Sequence, residues 1–244
     1  MIDWWMGTGA VAAALGGFTW ATVSPRNGFW GRVIWHGPRT GSRRVALTFD
    51  DGPTAPYTGQ ILDQLGDLKV PATFFAIGQN IARDGDFIQR AHAEGHLIGN
   101  HTHDHPHFGV FRREYYWQRQ IADTADAIER RIGRRPAMFR PPLGMKTWHV
   151  IRAAAANGHV TVAWTRRGLD GVPTTPAKIV HRLTANTRGG DILALHDGIE
   201  PAGKTTPVAT LSAIRPVVEA LRARGLELVR LDEMLGIAGY QAGS

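Results

Sequence analysis

The chain has 244 residues, 43% of them hydrophobic and 20% charged, which is enough to bury the core of one large domain. It contains no cysteine, which excludes a disulfide framework, a thiolate metal site and a cysteine nucleophile. The net charge of +7 comes almost wholly from arginines scattered in short pairs. With no long basic block and no nucleic-acid motif, that charge argues against nucleic acid and suits an anionic membrane surface or polymer better.

Trp4 to Val23 is uncharged, rich in Ala and Gly, and long enough to cross a bilayer as a helix, although Gly and Thr dilute its hydrophobicity. No positive n-region precedes it, so it does not read as a secretory signal. Residues 1–23 are expected to be an apolar segment outside the main fold and a possible membrane anchor. Two other readings stay open: an amphipathic surface anchor, and a helix packed on the domain. Arg26, Arg32, Arg39, Arg43 and Arg44 follow it. By the positive-inside rule they would leave the next domain on the cytoplasmic side, with the periplasmic or extracellular side not excluded. Residues 24–43 contain Gly and Pro and read as a linker.

From Arg44 to Leu235 short apolar runs alternate with helical patterns. Strands are expected at Val45–Phe49, Ala72–Ala76, Leu97–Asn100, Ala137–Arg140, Val160–Trp164, Ile192–Leu195 and Leu226–Val229. Helices are expected near Tyr57–Leu68, Phe87–Glu94, Glu114–Ile132, Trp148–Asn157, Pro176–Thr187 and Leu211–Arg224. Gly95, Gly133, Gly158 and Gly225 sit where helices should stop. Repeated βα alternation predicts an α/β fold with a mostly parallel sheet or barrel, and residues 236–244 read as a tail.

Four stretches carry titratable groups at strand ends, where α/β folds build their sites. The first is Thr48-Phe49-Asp50-Asp51-Gly52-Pro53, whose adjacent carboxylates repel unless a cation or a proton equilibrium uses them. The second is His101-Thr102-His103-Asp104-His105-Pro106-His107. Neutral imidazoles with a carboxylate form a common zinc set, and one helical turn would point His101 and His105 the same way. His101 with His103 is a rival pair. It evokes the two-metal signature of metallo-β-lactamase-like hydrolases, with the spacing one residue short. The third is Arg140-Pro141-Pro142-Leu143-Gly144, a stiff loop with the Leu143 and Gly144 amides free to hold an oxyanion and with Arg140 able to pair a carboxylate bidentately. The fourth, Leu193-Ala194-Leu195-His196-Asp197, ends in a histidine suited to general-acid work.

In residues and in order, Thr48–Pro53, His101–His105, Arg140–Gly144 and the strand ending at His196 resemble the polysaccharide deacetylases with the NodB homology domain, carbohydrate esterase family 4. The resemblance runs from about Arg44 to Leu235. It implies a distorted (β/α) barrel holding one divalent metal ion, usually Zn2+, sometimes Co2+ or Ni2+. Asp51, His101 and His105 fall at the metal-ligand positions. Asp50 falls at the general base, Arg140 at its partner, and His196 at the general acid, with Asp170 as the carboxylate tuning that histidine. Leu143 stands where a backbone amide meets the oxyanion, with Pro142 and Leu195 beside the substrate. Gly171 replaces an aromatic common after the aspartate of the fourth motif, with Trp164 as a candidate replacement, and Ala194 replaces a larger aliphatic.

The expected activity is removal of an acetyl or similar small acyl group from an N-acylated sugar in a polysaccharide, oligosaccharide or lipid-linked glycan. A metallo-β-lactamase-like hydrolase and a non-catalytic carbohydrate-binding module on the same fold are the alternatives. The sequence does not fix an oligomeric state.

Overall fold

In the computed structural model, residues 15–107, 109–199 and 206–243 are described. Eight parallel strands form one curled sheet, an incomplete (β/α) barrel with helices outside. The strands are β1 (Arg44–Asp50), β2 (Thr73–Ala76), β3 (Leu97–Asn100), β4 (Met138–Phe139), β5 (Val160–Thr161), β6 (Arg166–Arg167), β7 (Ile192–His196) and β8 (Glu227–Val229). Their order is β5-β4-β3-β2-β1-β7-β6, with β8 pairing the start of β1. β1 is central and buried on both faces, which explains its unbroken apolar run.

The helices are α1 (described over 15–23), α2 (Tyr57–Leu68), α3 (Gly78–Asp84), α4 (Asp86–Ala93), α5 (Glu114–Ile132), α6 (Trp148–Ala156), α7 (Pro176–Thr184), α8 (Val208–Ala223) and α9 (Leu231–Leu235). The predicted α2 and α5 have the observed bounds. The period-2 alternation of the sheet divides its side chains between two cores. Leu47, Phe49, Leu193 and Leu195 face the helices α2, α7 and α8. Ala46, Ile192 and Ala194 face the barrel interior with Val162 and Trp164. The helices α3 and α9 and the two-residue β6 were not expected, being too short to show a period. Predicted strands at 137–140 and 160–164 contract to two residues each, because the chain leaves the sheet to build loops.

Residues 24–43 do not behave as a linker. Ile34 bridges Val162 and His36 bridges Asp191, so this segment stitches the β5 side of the sheet to the start of β7. Val33, Ile34 and Trp35 pack on the interior core. Their apolar character outweighs the Gly and Pro around them. The expected tail also docks: Tyr240 accepts a hydrogen bond from the Ile98 amide at 3.2 Å.

Of the expected apolar segment, residues 1–14 lie outside the described residues. α1 buries Ala21 and Thr22 on the domain and exposes Leu15, Phe18, Trp20 and Val23. Lys146 holds its end by donating to the Ser24 carbonyl at 2.6 Å. No helix among the described residues is long and apolar enough to cross a membrane.

Candidate active site

The carboxyl ends of β1, β3, β4 and β7 converge on one cleft of about 210 Å³. Register places Asp50, the last residue of β1, directly opposite His196, the last of β7. Beyond Asp50 the chain turns sharply, with Asp51 at φ 73°, so the two neighbouring carboxylates leave the backbone in different directions. Three groups hold that turn. The Asn80 side chain donates to the Asp51 carbonyl at 2.9 Å, the Ile77 amide donates to the Gly52 carbonyl at 2.8 Å, and the Gly52 amide donates to Asp197 at 3.1 Å. Gly52 is required here, because a Cβ would fall 1.8 Å from Asp197 Oδ2.

His101 and His105 reach the cleft from a bent loop, not from the helical turn their spacing suggested. Thr102 and His105 both have positive φ, and the two rings lie 5.0 Å apart. Their Nε2 atoms stand 3.2 and 3.3 Å from Oδ1 of Asp51. His101 Nδ1 lies 2.7 Å from the Arg140 carbonyl. A carbonyl can only accept, so Nδ1 carries a proton, which leaves Nε2, facing the carboxylate, as the atom a metal would bind. Oδ1 of Asp51 is itself buried without a hydrogen bond.

Acceptors facing one another in a dry pocket are what a cation requires, and two imidazoles with one carboxylate suit a borderline-soft divalent ion such as zinc. The three residues form the only metal-competent cluster among the described residues. Burial drives His105 down to about 3 against the pull of Asp51, leaving it neutral as a ligand must be.

Asp50 belongs to a different network. Arg140 Nη1 lies 2.6 Å from Asp50 Oδ1 and 2.8 Å from the Thr48 hydroxyl, while Nη2 reaches the Ala163 carbonyl at 3.2 Å. The pair is single-contact, not the bidentate fork expected, because the second nitrogen is committed to the backbone. The guanidinium stacks 4.1 Å from the Phe75 ring centroid and is fully buried.

Across the cleft, His196 Nδ1 lies 2.9 Å from Asp170 Oδ1. The other Asp170 oxygen accepts from the His196 amide and from the Thr210 hydroxyl. Burial lowers the His196 pKa, but Asp170, with Asp51 and Asp50 behind it, raises it to about 10. Asp197 meets the Thr58 hydroxyl at 2.7 Å, and burial pushes its carboxyl up to about 7.

Several expectations need correction. Leu195 faces the outer core and does not touch the cleft, since strand alternation puts Ala194 and His196 there instead. Pro142 is buried away from the lining. The Gly144 amide is spent on the Pro141 carbonyl at 2.9 Å. The half-exposed Leu143, held at φ 56°, does line the cleft, and its amide has no acceptor among the described residues. Trp164 and Gly171 line the cleft as well. His103 faces a separate cavity with Asp123 and Arg130, so the His101–His103 pair does not form. Asn80, Thr58 and Thr210 carried no sequence signal, because their partners are remote in the chain. Asp197 stood in view beside His196 without a role.

Residues 37–162 match the polysaccharide deacetylase family. A peptidoglycan-N-acetylglucosamine deacetylase of Bacillus cereus is 35% identical over 207 residues, covering 84% of this chain and 93% of that protein. A chitooligosaccharide deacetylase of Rhizobium leguminosarum bv. trifolii is 35% identical over 197 residues, 78% of this chain and 91% of that one. Among solved structures, a peptidoglycan N-acetylglucosamine deacetylase in complex with 4-naphthalen-1-yl-N-oxidanyl-benzamide superposes with a TM-score of 0.79 at 29% identity, covering 86% of this chain and 95% of that one. With the barrel and its converging strand ends, these likenesses establish that the chain belongs to the polysaccharide deacetylase family of carbon–nitrogen hydrolases.

Proposed function

We propose that this chain is a metal-dependent N-deacetylase that removes an acetyl or similarly small acyl group from an N-acylated sugar of a glycan. The observation that carries the reading is the split between adjacent carboxylates: Asp51 faces two imidazoles, while Asp50 faces Arg140. Asp51, His101 and His105 would hold one divalent ion, Zn2+ by donor chemistry, with Co2+ or Ni2+ as substitutes. When bound, the ion supplies Lewis acidity toward the acyl carbonyl and acidifies water.

The other roles fall to this chain's own groups. Arg140 orients Asp50, so Asp50 accepts the proton of the attacking water. The Leu143 amide donates to the developing oxyanion. His196, kept protonated by Asp170, delivers a proton from Nε2 to the departing amine. Trp164 and Ala194 shape a small acyl pocket.

The test is acetate release from N-acetylglucosamine oligomers by zinc-loaded protein, together with metal content per chain for the wild type and His105→Ala. One ion per chain, lost in the variant, with amide turnover supports the reading. Cleavage of simple esters alone, or no metal uptake after loading, overturns it. Two ions per chain would favour the two-metal alternative.

We also propose that the protein works at a membrane surface with its catalytic domain on the cytoplasmic side. The support is the exposed aromatic face of Phe18, Phe111 and Trp148 around one cleft, with Trp20 and Phe29 also exposed. Cosedimentation with anionic vesicles that is lost in Trp20→Ala/Phe29→Ala tests surface binding. Protease protection of the domain in sealed vesicles tests the side.

A further inference from the structure

The segment that carries His101 and His105 has no regular structure, and two of its residues hold left-handed backbone, Thr102 at φ 71° and His105 at φ 50°. Such conformations are costly for residues with a side chain and persist only where the surroundings impose them. The two histidines are held differently. His101 is aimed through its ring, by the bond from Nδ1 to the Arg140 carbonyl. The His105 ring has no such bond. Its Nδ1 is buried without a hydrogen-bond partner among the described residues, and the His107 ring meets it edge-on at 4.9 Å. His105 is therefore aimed through its main chain.

That main chain is gripped from several directions. The Asn100 side chain accepts from the Thr102 amide at 3.0 Å. The Gly78 and Gln79 amides, at the start of α3, donate to the Thr102 and His103 carbonyls at 2.9 Å. The His103 and Asp104 amides, between the two ligands, both donate to one atom of α5, Oε1 of Gln120, at 3.0 and 3.1 Å. Backbone amides only donate, so the atom they meet is the oxygen of that side chain. Gln120 is buried. One turn earlier on α5, Trp117 Nε1 donates to the Gly109 carbonyl at 3.1 Å, so the helix holds the segment on both sides of His105. α5 is itself anchored by Ile121 and Ile128, both fully buried.

We propose that Gln120 is a positioning residue for the metal centre: by clamping the His103 and Asp104 amides it fixes where His105 Nε2 stands against Asp51 and His101. The inference rests on the reading of Asp51, His101 and His105 as metal ligands, and it makes their affinity depend on a side chain from another element. Gln120 does not line the catalytic cleft, so it acts through the loop alone. Without its oxygen, two neighbouring amides lose their acceptor, the left-handed turn at His105 relaxes, and the ring leaves its place.

The test measures Zn2+ affinity by competition with a chelator, and the visible spectrum of the Co2+-loaded protein, which reports ligand geometry without any substrate. Gln120→Met keeps the length of the side chain and removes the acceptor. Zinc affinity should fall about 10- to 100-fold, as when groups orienting a ligand are lost, and the Co2+ spectrum should change. Gln120→Glu keeps acceptor oxygens and should restore most of the affinity. Ile128→Val trims the same helix in the outer core, and it should lower the melting temperature while leaving both metal readouts unchanged. Gln120→Asn withdraws the amide from the loop and is read in the same way should Gln120→Met not fold.

Unchanged zinc affinity in folded Gln120→Met or Gln120→Asn overturns the assignment. So does a loss that Gln120→Glu shares in full, or an equal loss in Ile128→Val. A wild type that takes up no zinc rejects the metal centre itself and the inference with it. Zinc uptake by the wild type with no response to Gln120 rejects the inference alone.

Discussion

Arg140 Nη1 lies 2.6 Å from Asp50 Oδ1, and both side chains are almost wholly shielded from water. The same nitrogen meets the Thr48 hydroxyl, one pleat back on β1. Arg140→Lys keeps the charge but cannot serve Thr48, Asp50 and the Ala163 carbonyl together. We expect kcat to fall about 10²-fold, as for a mispositioned general base. The melting temperature should also fall, reflecting roughly 1–3 kcal/mol for the buried partners left unmet. Steady-state kinetics and thermal unfolding check both.

Asp170 sets the basic limb of the pH profile. It raises the His196 pKa to about 10 against the lowering effect of burial, so the acid form persists through neutrality. Asp170→Asn removes the charge that does this, so the basic limb of kcat/KM should move to lower pH. The sign for stability follows: the pair's stabilisation is complete below about 6.5, the ordinary histidine value. It is lost as pH rises through the folded value of about 10. Melting temperatures of wild type and Asp170→Asn should therefore converge at high pH. A basic limb that stays in place in Asp170→Asn would contradict this assignment.

Gly52→Ala probes the turn that aims Asp51. Its Cβ would overlap Asp197 Oδ2, so either the turn or Asp197 must move. Zinc affinity, measured by competition with a chelator, should fall at least about tenfold, as it does when groups orienting a ligand are disturbed. Asp197→Asn keeps the volume and an acceptor, and it should lose much less.

Tyr240→Phe tests the docked C-terminal segment. It leaves the Ile98 amide, at the centre of β3, without its acceptor. A loss of about 1–2 kcal/mol is expected in denaturant unfolding, with unchanged KM.

How much of this was legible depends on range. The runs ending in Asp50-Asp51 and His196 showed as strand ends because β1 and β7 are buried on both faces and read as continuous apolar stretches. The histidine cluster showed through composition alone. Its geometry did not, since positive φ at Thr102 and His105 leaves no periodic trace. The side of Leu195 is hidden for a related reason: in a strand apolar throughout, nothing in the pattern says which parity faces the cleft. Asn80, Thr58 and Thr210 act through contacts tens of residues away or more. In the segment 24–43 Gly and Pro dominate the local pattern, while its pairing beside β5 and β7 depends on partners more than a hundred residues on.

That segment has a consequence for where the working unit begins. The motifs start in β1, yet Ile34 pairs with Val162 just past the edge strand β5, and His36 pairs with Asp191 just before β7. Pro25 sits against Gly144, behind the loop that carries Leu143 to the cleft. A protein trimmed at Arg44 would keep each proposed ligand and proton carrier. It would also open a seam between two strands, wet Val162 and Trp164, and free the Leu143 loop from its backing. Its failure would be one of enclosure, with the chemistry present but no longer held in a dry, shaped space.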